Sequence, residues 1–198
     1  ITVTAADKSK TYGDTNPSLT YSVAANGVGT SRGLYSTDTL SGALATTATT
    51  STSVGTASIT QGTLANSNYA ITFNNGTLTI GKATLTVTAD NQARVYGDAN
   101  PTLSYSITGY VNSETSSVVT GAPTISTSAT QGSNVGSYTI TSASNNLAAT
   151  NYQFSYVNGS LTINQRPITV TAADKTKTYG DANPSLTYSV AANGVGSS

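Results

Sequence analysis

Three aspartates stand at the same place in a repeated string, and they are the first side chains in this sequence that could do chemistry. Tyr-Gly-Asp-x-Asn-Pro occurs at Tyr12, Gly13, Asp14, Asn16 and Pro17, and again at Tyr96, Gly97, Asp98, Asn100 and Pro101. It occurs a third time at Tyr179, Gly180, Asp181, Asn183 and Pro184. A carboxylate two residues from an amide could ligate calcium, with Asn16 or Asn100 and backbone carbonyls supplying further oxygens. Calcium takes about six to eight oxygens, several of them carboxylate, and a lone aspartate per copy falls short. The acids are better suited to closing turns, where a short carboxylate accepts from nearby backbone N–H groups. Schemes built on histidine or cysteine are excluded, because the sequence contains neither. Paired-carboxylate catalysis is poorly supplied: the first copy offers Asp7, Asp14 and Asp38, the second Asp90, Asp98 and Glu114. The expectation is a non-enzymatic chain with no metal and no cofactor.

Lys8 and Lys10 raise a different chemistry, an isopeptide cross-link to an amide or acid. That needs a buried lysine beside its partner, whereas these two lie in a polar stretch and are replaced by Gln92 and Arg94 in the second copy. The tyrosines, twelve against two phenylalanines and no tryptophan, are read mainly as core residues whose hydroxyls reach the surface. Tyr35 and Tyr110 are the candidates for a contact surface, because they fall in variable loops where a ring could stack on a sugar or on another protein.

Eight basic and eight acidic residues leave no net charge. No basic patch is available to neutralise a phosphate backbone, so nucleic acid is not an expected partner. The fragment has no apolar run long enough to span a membrane, and no export signal. Serine and threonine make up about a third of the chain, far above ordinary usage. Regular alternation of Val, Ile, Leu and Tyr separates this composition from disorder. Lack of cysteine leaves sheet packing, tyrosine burial and contacts between neighbours to stabilise domains that are small for a single core.

The motif tyrosines lie 84 and 83 residues apart. A fixed period of that length means a small domain copied in tandem. Copy 1 is placed at 1–81, copy 2 at 82–165 and the start of a third at 166–198. Residues 1–31 differ from 168–198 only at Ser9/Thr176, Thr15/Ala182 and Thr30/Ser197, so the recently duplicated unit is a two-domain block in the order A-B-A. The third copy keeps two strands, so the chain reads as a slice of a longer one. Completion of the half-domain by a neighbouring chain, as in a filament, is the alternative.

Within a copy, Ile1, Val3 and Ala5 alternate with threonine, the period of a strand with one buried face. Gly13 permits positive φ and Pro17 holds Asn16 extended, so the motif is a rigid turn from which Tyr12 reaches the core. Leu19–Val23 gives a second strand. A glycine-rich middle follows over Asn26–Leu44, replaced in copy 2 by Thr108–Val119, where one helical turn capped by Ser113 is expected. Strands are expected at Thr124–Ser128 and Gly136–Ala143. A closing hairpin is expected around Asn75-Gly76 and Asn158-Gly159, the dipeptide of a type I′ turn. The junctions, Gly81-Lys82 and Asn164–Pro167, leave little room to hinge. A semi-rigid rod is expected, each domain adding about 30–40 Å.

The Tyr-Gly-Asp-x-Asn-Pro turn after a threonine-rich strand, with the closing Asn-Tyr…Asn-Gly-x-Leu-x-Ile segment, resembles the MBG domain family, mostly bacterial and glycine-rich. The resemblance covers the whole chain; copy 1 departs from it at Val54-Gly55-Thr56-Ala57, where alanine stands in place of Tyr138. It implies an all-β fold, small sandwich or β-grasp-like domains strung end to end in large surface or secreted adhesins. Two functions follow as expectations. One is an extracellular spacer or stalk on the bacterial cell surface, supporting adhesion or biofilm. The other is a repeated module that binds surface glycans or other copies of the protein. In both, the neighbouring repeats of the chain are partners.

Overall fold

The structure, a computed structural model, describes residues 1–24 and 33–192. Residues 25–32 of the first glycine-rich loop lie outside the described residues. The first repeat contains β1 (Thr2–Ala5), β2 (Lys8–Thr11), β3 (Tyr21–Val23), β4 (Gly55–Ile59), β5 (Thr72–Asn74) and β6 (Gly76–Gly81). Alternation does what the sequence predicts: Val3 and Ala5 are buried while Thr4 faces water. In β6 the buried set is Gly76, Leu78 and Ile80, with Thr77 and Thr79 outside. Two small sheets result, in the orders β3-β1-β5 and β2-β6-β4. The first and last strands of the repeat run parallel and serve both sheets. Val3 pairs with Phe73 in one, and Lys8 with Leu78 in the other.

The second repeat contains β7 (Ala83–Ala89), β8 (Gln92–Val95), β9 (Tyr105–Thr108), β10 (Thr124–Thr127), β11 (Gly136–Ala143), β12 (Tyr152–Val157) and β13 (Gly159–Asn164). Its sheets are β12-β7-β9 and β10-β11-β13-β8, the second again pairing first and last strands in parallel, Leu161 with Gln92. Then β14 (Ile168–Ala172) and β15 (Tyr188–Ala192) form an antiparallel pair. The chain is all-β, as expected from its sequence.

Two expectations are corrected. No hairpin closes the repeats: β5 and β6 belong to different sheets, as do β12 and β13. Asn75-Gly76 and Asn158-Gly159 are the places where the last strand crosses from one sheet to the other. Neither glycine has the positive φ of a type I′ turn. They are glycine because backbone passes close by: a Cβ would stand 3.0 Å from the Ala5 carbonyl oxygen at Gly76 and 2.5 Å from that of Ala89 at Gly159. The first strand bends at the same level, and its bend is tied to the crossing. Asp7 Oδ1 accepts from the Thr77 N–H at 2.7 Å, and Asn91 Oδ1 accepts from the Ser160 N–H at 2.9 Å.

The helical turn in the second middle loop is a 3₁₀ turn at Ser116–Val118 capped by Thr115, not by Ser113. Ser113 is committed elsewhere. It follows Asn112 in a tight turn with positive φ at both residues (59° and 53°), closed by the Glu114 N–H donating to the Val111 carbonyl at 3.0 Å.

By contacts the chain forms two compact units. One comprises Ile1–Thr86, Ile107–Ala122 and Asn145–Ser155, the other Val87–Ser106, Pro123–Ser144 and Tyr156–Ser198. The first unit's core gathers Ala5, Tyr12, Ile59, Leu78 and Ile80 with Ala83, Leu85 and Tyr152. One continuous apolar cluster therefore draws on both complete repeats. The second unit is built on Ala89, Ala129, Ile140, Leu161 and Ile163.

Candidate functional site: a tyrosine–carboxylate cluster

The first motif turn is closed by the Asp14 N–H donating to the Thr11 carbonyl at 3.1 Å. Gly13 sits at its third position with φ of 93°, the conformation a type II turn requires there. A Cβ on Gly13 would also fall 2.5 Å from Val111 Cγ2, so both backbone and neighbour demand glycine. The turn projects Tyr12, only 3% exposed, edge-on to Tyr152, with ring centroids 5.6 Å apart at 81°. Tyr110 packs edge-on to the same ring from 6.2 Å.

Glu114 holds this cluster together. Its Oε1 accepts from the Tyr12 hydroxyl at 2.8 Å, and its Oε2 accepts from the Tyr152 hydroxyl. The Val111 N–H in turn donates to the Tyr152 oxygen at 3.1 Å. The tight turn through Asn112 and Ser113 is what aims Glu114 at the two phenols. Burial first, and the Glu114 carboxylate second, push the Tyr152 hydroxyl up to about 12. The Tyr152 phenol is consequently a neutral donor at neutral pH, and the arrangement is one of holding. Further bonds tie first-repeat to second-repeat residues nearby. The Val54 N–H donates to Asn151 Oδ1 at 3.1 Å, and the Asn112 side chain donates to the Thr50 carbonyl at 3.0 Å. A cleft of 270 Å³ beside Glu114, Val118 and Tyr152 lies just below the ~300–1,000 Å³ usual for small-molecule sites.

The first repeat carries the same pair at the equivalent place. The Tyr69 hydroxyl donates to Asp38 Oδ2 at 2.5 Å and accepts from the Tyr35 N–H at 2.8 Å. Hydrogen bonding to Asp38 raises the Tyr69 hydroxyl above its ordinary range. Asp38 closes its own turn on the Tyr35 carbonyl at 2.9 Å, as Glu114 does on Val111.

The rest of the motif anchors the turn. Asp14 Oδ2 accepts from the Thr11 N–H at 3.3 Å, while Asp98 pairs instead with Arg166 at 3.6 Å. The Asp181 N–H closes the third turn on the Thr178 carbonyl. Asn16 and Asn100 donate to the carbonyls of Ala48 and Ala129, each at 2.6 Å, so the amide tethers the turn to the far loop. Pro17 and Pro101, following those amides, are half-buried; Pro184, after Asn183, is exposed. Lys10 donates to the Thr49 carbonyl at 2.6 Å, and its counterpart Arg94, only 7% exposed, donates to the Thr130 carbonyl at 2.5 Å and to Asn100 Oδ1 at 2.7 Å. Among the described residues no three acids, histidines or cysteines converge on a cation position.

The motif tyrosines do not share one fate. Tyr96 is 41% exposed and Tyr179 fully so; Tyr12 alone is covered by the 110–114 segment and Tyr152. Tyr35 is 79% exposed. Tyr110, expected beside it as a surface residue, is half-buried and packs against the core, because its loop folds inward to seat Tyr152. Sequence reasoning weighed Asp38 and Glu114 only as catalytic acids and missed their pairing with Tyr69 and Tyr152, as it missed the anchoring role of Arg94. The available signal was an acid in each middle loop, matched by a tyrosine in each closing Asn-Tyr.

The sequence profile of the MBG domain, YGX type, matches residues 1–79, 85–162 and 168–196. The chain belongs to this family. No curated protein matches it. MBG membership makes it a run of repeat domains of the kind carried by bacterial surface proteins. In these MBG repeats the name-giving Tyr-Gly pair is the turn that carries Tyr12.

Proposed function

We propose that these MBG repeats are a non-enzymatic spacer in an extracellular bacterial adhesin or matrix fibre, holding a distal binding region away from the cell surface. The observation that carries this reading is the shared core of the first unit, in which Tyr12 and Ile80 of one repeat pack with Leu85 and Tyr152 of the next. A spacer must resist bending between its repeats, and a buried core resists it far better than a flexible linker does. The connection supports the same reading, since Lys82 alone separates β6 from β7. Sparse charge and a surface rich in hydroxyls suit a chain that stays soluble without attracting polyelectrolytes.

Single-molecule stretching of the chain, paired with a glycan array, tests the proposal. Expected are cooperative force peaks in which loss of the first repeat accompanies loss of the Tyr152 region, with no glycan retained. Micromolar binding of a glycan at the repeats would overturn the spacer reading in favour of a binding module.

A further inference from the structure

The two sheet crossings account for their glycines and leave their asparagines unexplained. Gly76 and Gly159 are demanded by the Ala5 and Ala89 carbonyls. Asn75 and Asn158, the residues before them, are both exposed and close no type I′ turn. An asparagine before glycine holds an electrophile, the side-chain amide carbon Cγ, within reach of the next backbone nitrogen. Glycine carries no Cβ to obstruct the approach, and a nucleophile in the same chain reacts without the entropy cost of an encounter.

The two asparagines are held differently. Asn158 Oδ1 accepts from the Ser142 N–H at 2.9 Å. Ser142 is only 5% exposed, so the bond is shielded from water. It exists because β11 runs on past Ile140, the partner of Gly159, to Ala143. In the first repeat β4 stops at Ile59, the partner of Gly76. Gln61, which aligns with Ser142, lies instead in a turn closed by the Leu64 N–H donating to the Gln61 carbonyl at 3.1 Å. Among the described residues the brace is not repeated at Asn75. Gly159 is also the more tightly enclosed glycine, with its Cβ position 2.5 Å from the Ala89 carbonyl oxygen against 3.0 Å from that of Ala5 at Gly76.

We infer that Asn75 is a site of spontaneous modification, deamidating in the folded chain ahead of Asn158. The Gly76 nitrogen attacks Asn75 Cγ. The N–Cγ bond forms, the Cγ–Nδ2 bond breaks, and the Gly76 amide proton leaves with Nδ2 as ammonia. Water then opens the succinimide. Cleavage of the N–Cγ bond gives aspartate. Cleavage between that nitrogen and the Asn75 main-chain carbonyl carbon gives isoaspartate, which adds a carbon to the backbone. The added carbon enters between β5, in register with β1, and β6, in register with β4. It also lies just ahead of the Thr77 N–H that Asp7 accepts at 2.7 Å. The crossing therefore loosens in the modified chain.

Ageing the full chain in warm, mildly alkaline buffer, followed by peptide mapping and an isoaspartate assay, tests this. Expected is conversion at Asn75 about two- to tenfold faster than at Asn158, the factor that one hydrogen bond confers. In the urea-unfolded chain the two rates should converge, because Asn-Gly-Thr and Asn-Gly-Ser are locally alike. The aged parent should unfold at lower urea concentration than the fresh one, and Asn75→Gln, aged alike, should hold its midpoint. No conversion at Asn75 in the folded chain overturns the inference, as does conversion at Asn158 that keeps pace with it. A rate difference that persists in urea overturns it too, since the cause would then be local sequence. Equal loss of stability in aged Asn75→Gln would overturn the loosening of the crossing.

Discussion

Tyr12, Tyr96 and Tyr179 occupy identical local sequence, and their environments separate them. Truncating Tyr12 to alanine empties a buried aromatic site, a change that typically costs ~3–5 kcal/mol. The same substitution at Tyr179, fully exposed, should fall within about 0.5 kcal/mol of the parent. Urea unfolding of the two variants checks the contrast directly. Glu114→Ala should be nearly as harmful as Tyr12→Ala, about 2–4 kcal/mol, because it strips two buried phenols of a charged acceptor. The Tyr152 hydroxyl adds a pH dependence. Folded, it ionises at about 12; unfolded, near 10. Between those values the unfolded chain has lost a proton that the folded chain retains, so stability falls as pH rises. The contribution is fully present below about pH 10. Thermal melts from pH 9 to 12 should therefore show a steeper alkaline loss in the parent than in Tyr152→Phe.

At the scale of elements, the first and last strands of each repeat bend together and carry two sheets between them. The alternation of Val3 and Ala5, and of Leu78 and Ile80, with threonine marked both strands, and Gly136–Ala143 was delimited correctly from its pattern. Pairing was not legible. Asn-Gly has the same local preferences in a hairpin and at a crossing, and only the approach of a distant strand distinguishes them. Gly159→Ala tests the crossing. Its φ is an ordinary one, so alanine would be tolerated were it not for the Ala89 carbonyl 2.5 Å from the new Cβ. Overpacking of that kind costs ~1–3 kcal/mol, and Gly76→Ala, with 3.0 Å available, should cost less. Chemical denaturation of both variants provides the comparison.

For the whole molecule, the notable fact is that sequence period and packing unit differ. The family profile divides the chain at residues 79–85, whereas the first compact unit takes in residues 107–122 and 145–155 as well. Repeat identity follows duplication of the gene; compactness follows burial of apolar surface. A fragment ending at Gly81 should accordingly be less stable than the same residues in the full chain, since Tyr12 and Ile80 lose the cover of Ala83, Leu85 and Tyr152. Hydrogen exchange at the β6 amides in fragment and full chain measures the difference. Protection that is equal in the two would mean that the shared core contributes little.

The sequence by itself determined the tandem arrangement, the all-β class, the rigid Tyr-Gly-Asp-x-Asn-Pro turn and the strands with one buried face. Each of these is set by neighbours within a few residues or by plain repetition of the text. Only the tertiary structure decided which tyrosine is buried, where Asn-Gly lies and that Glu114 joins Tyr12 to Tyr152. Those outcomes depend on residues 38 to 140 positions apart meeting in space, and one chain read locally carries no record of which distant groups will meet.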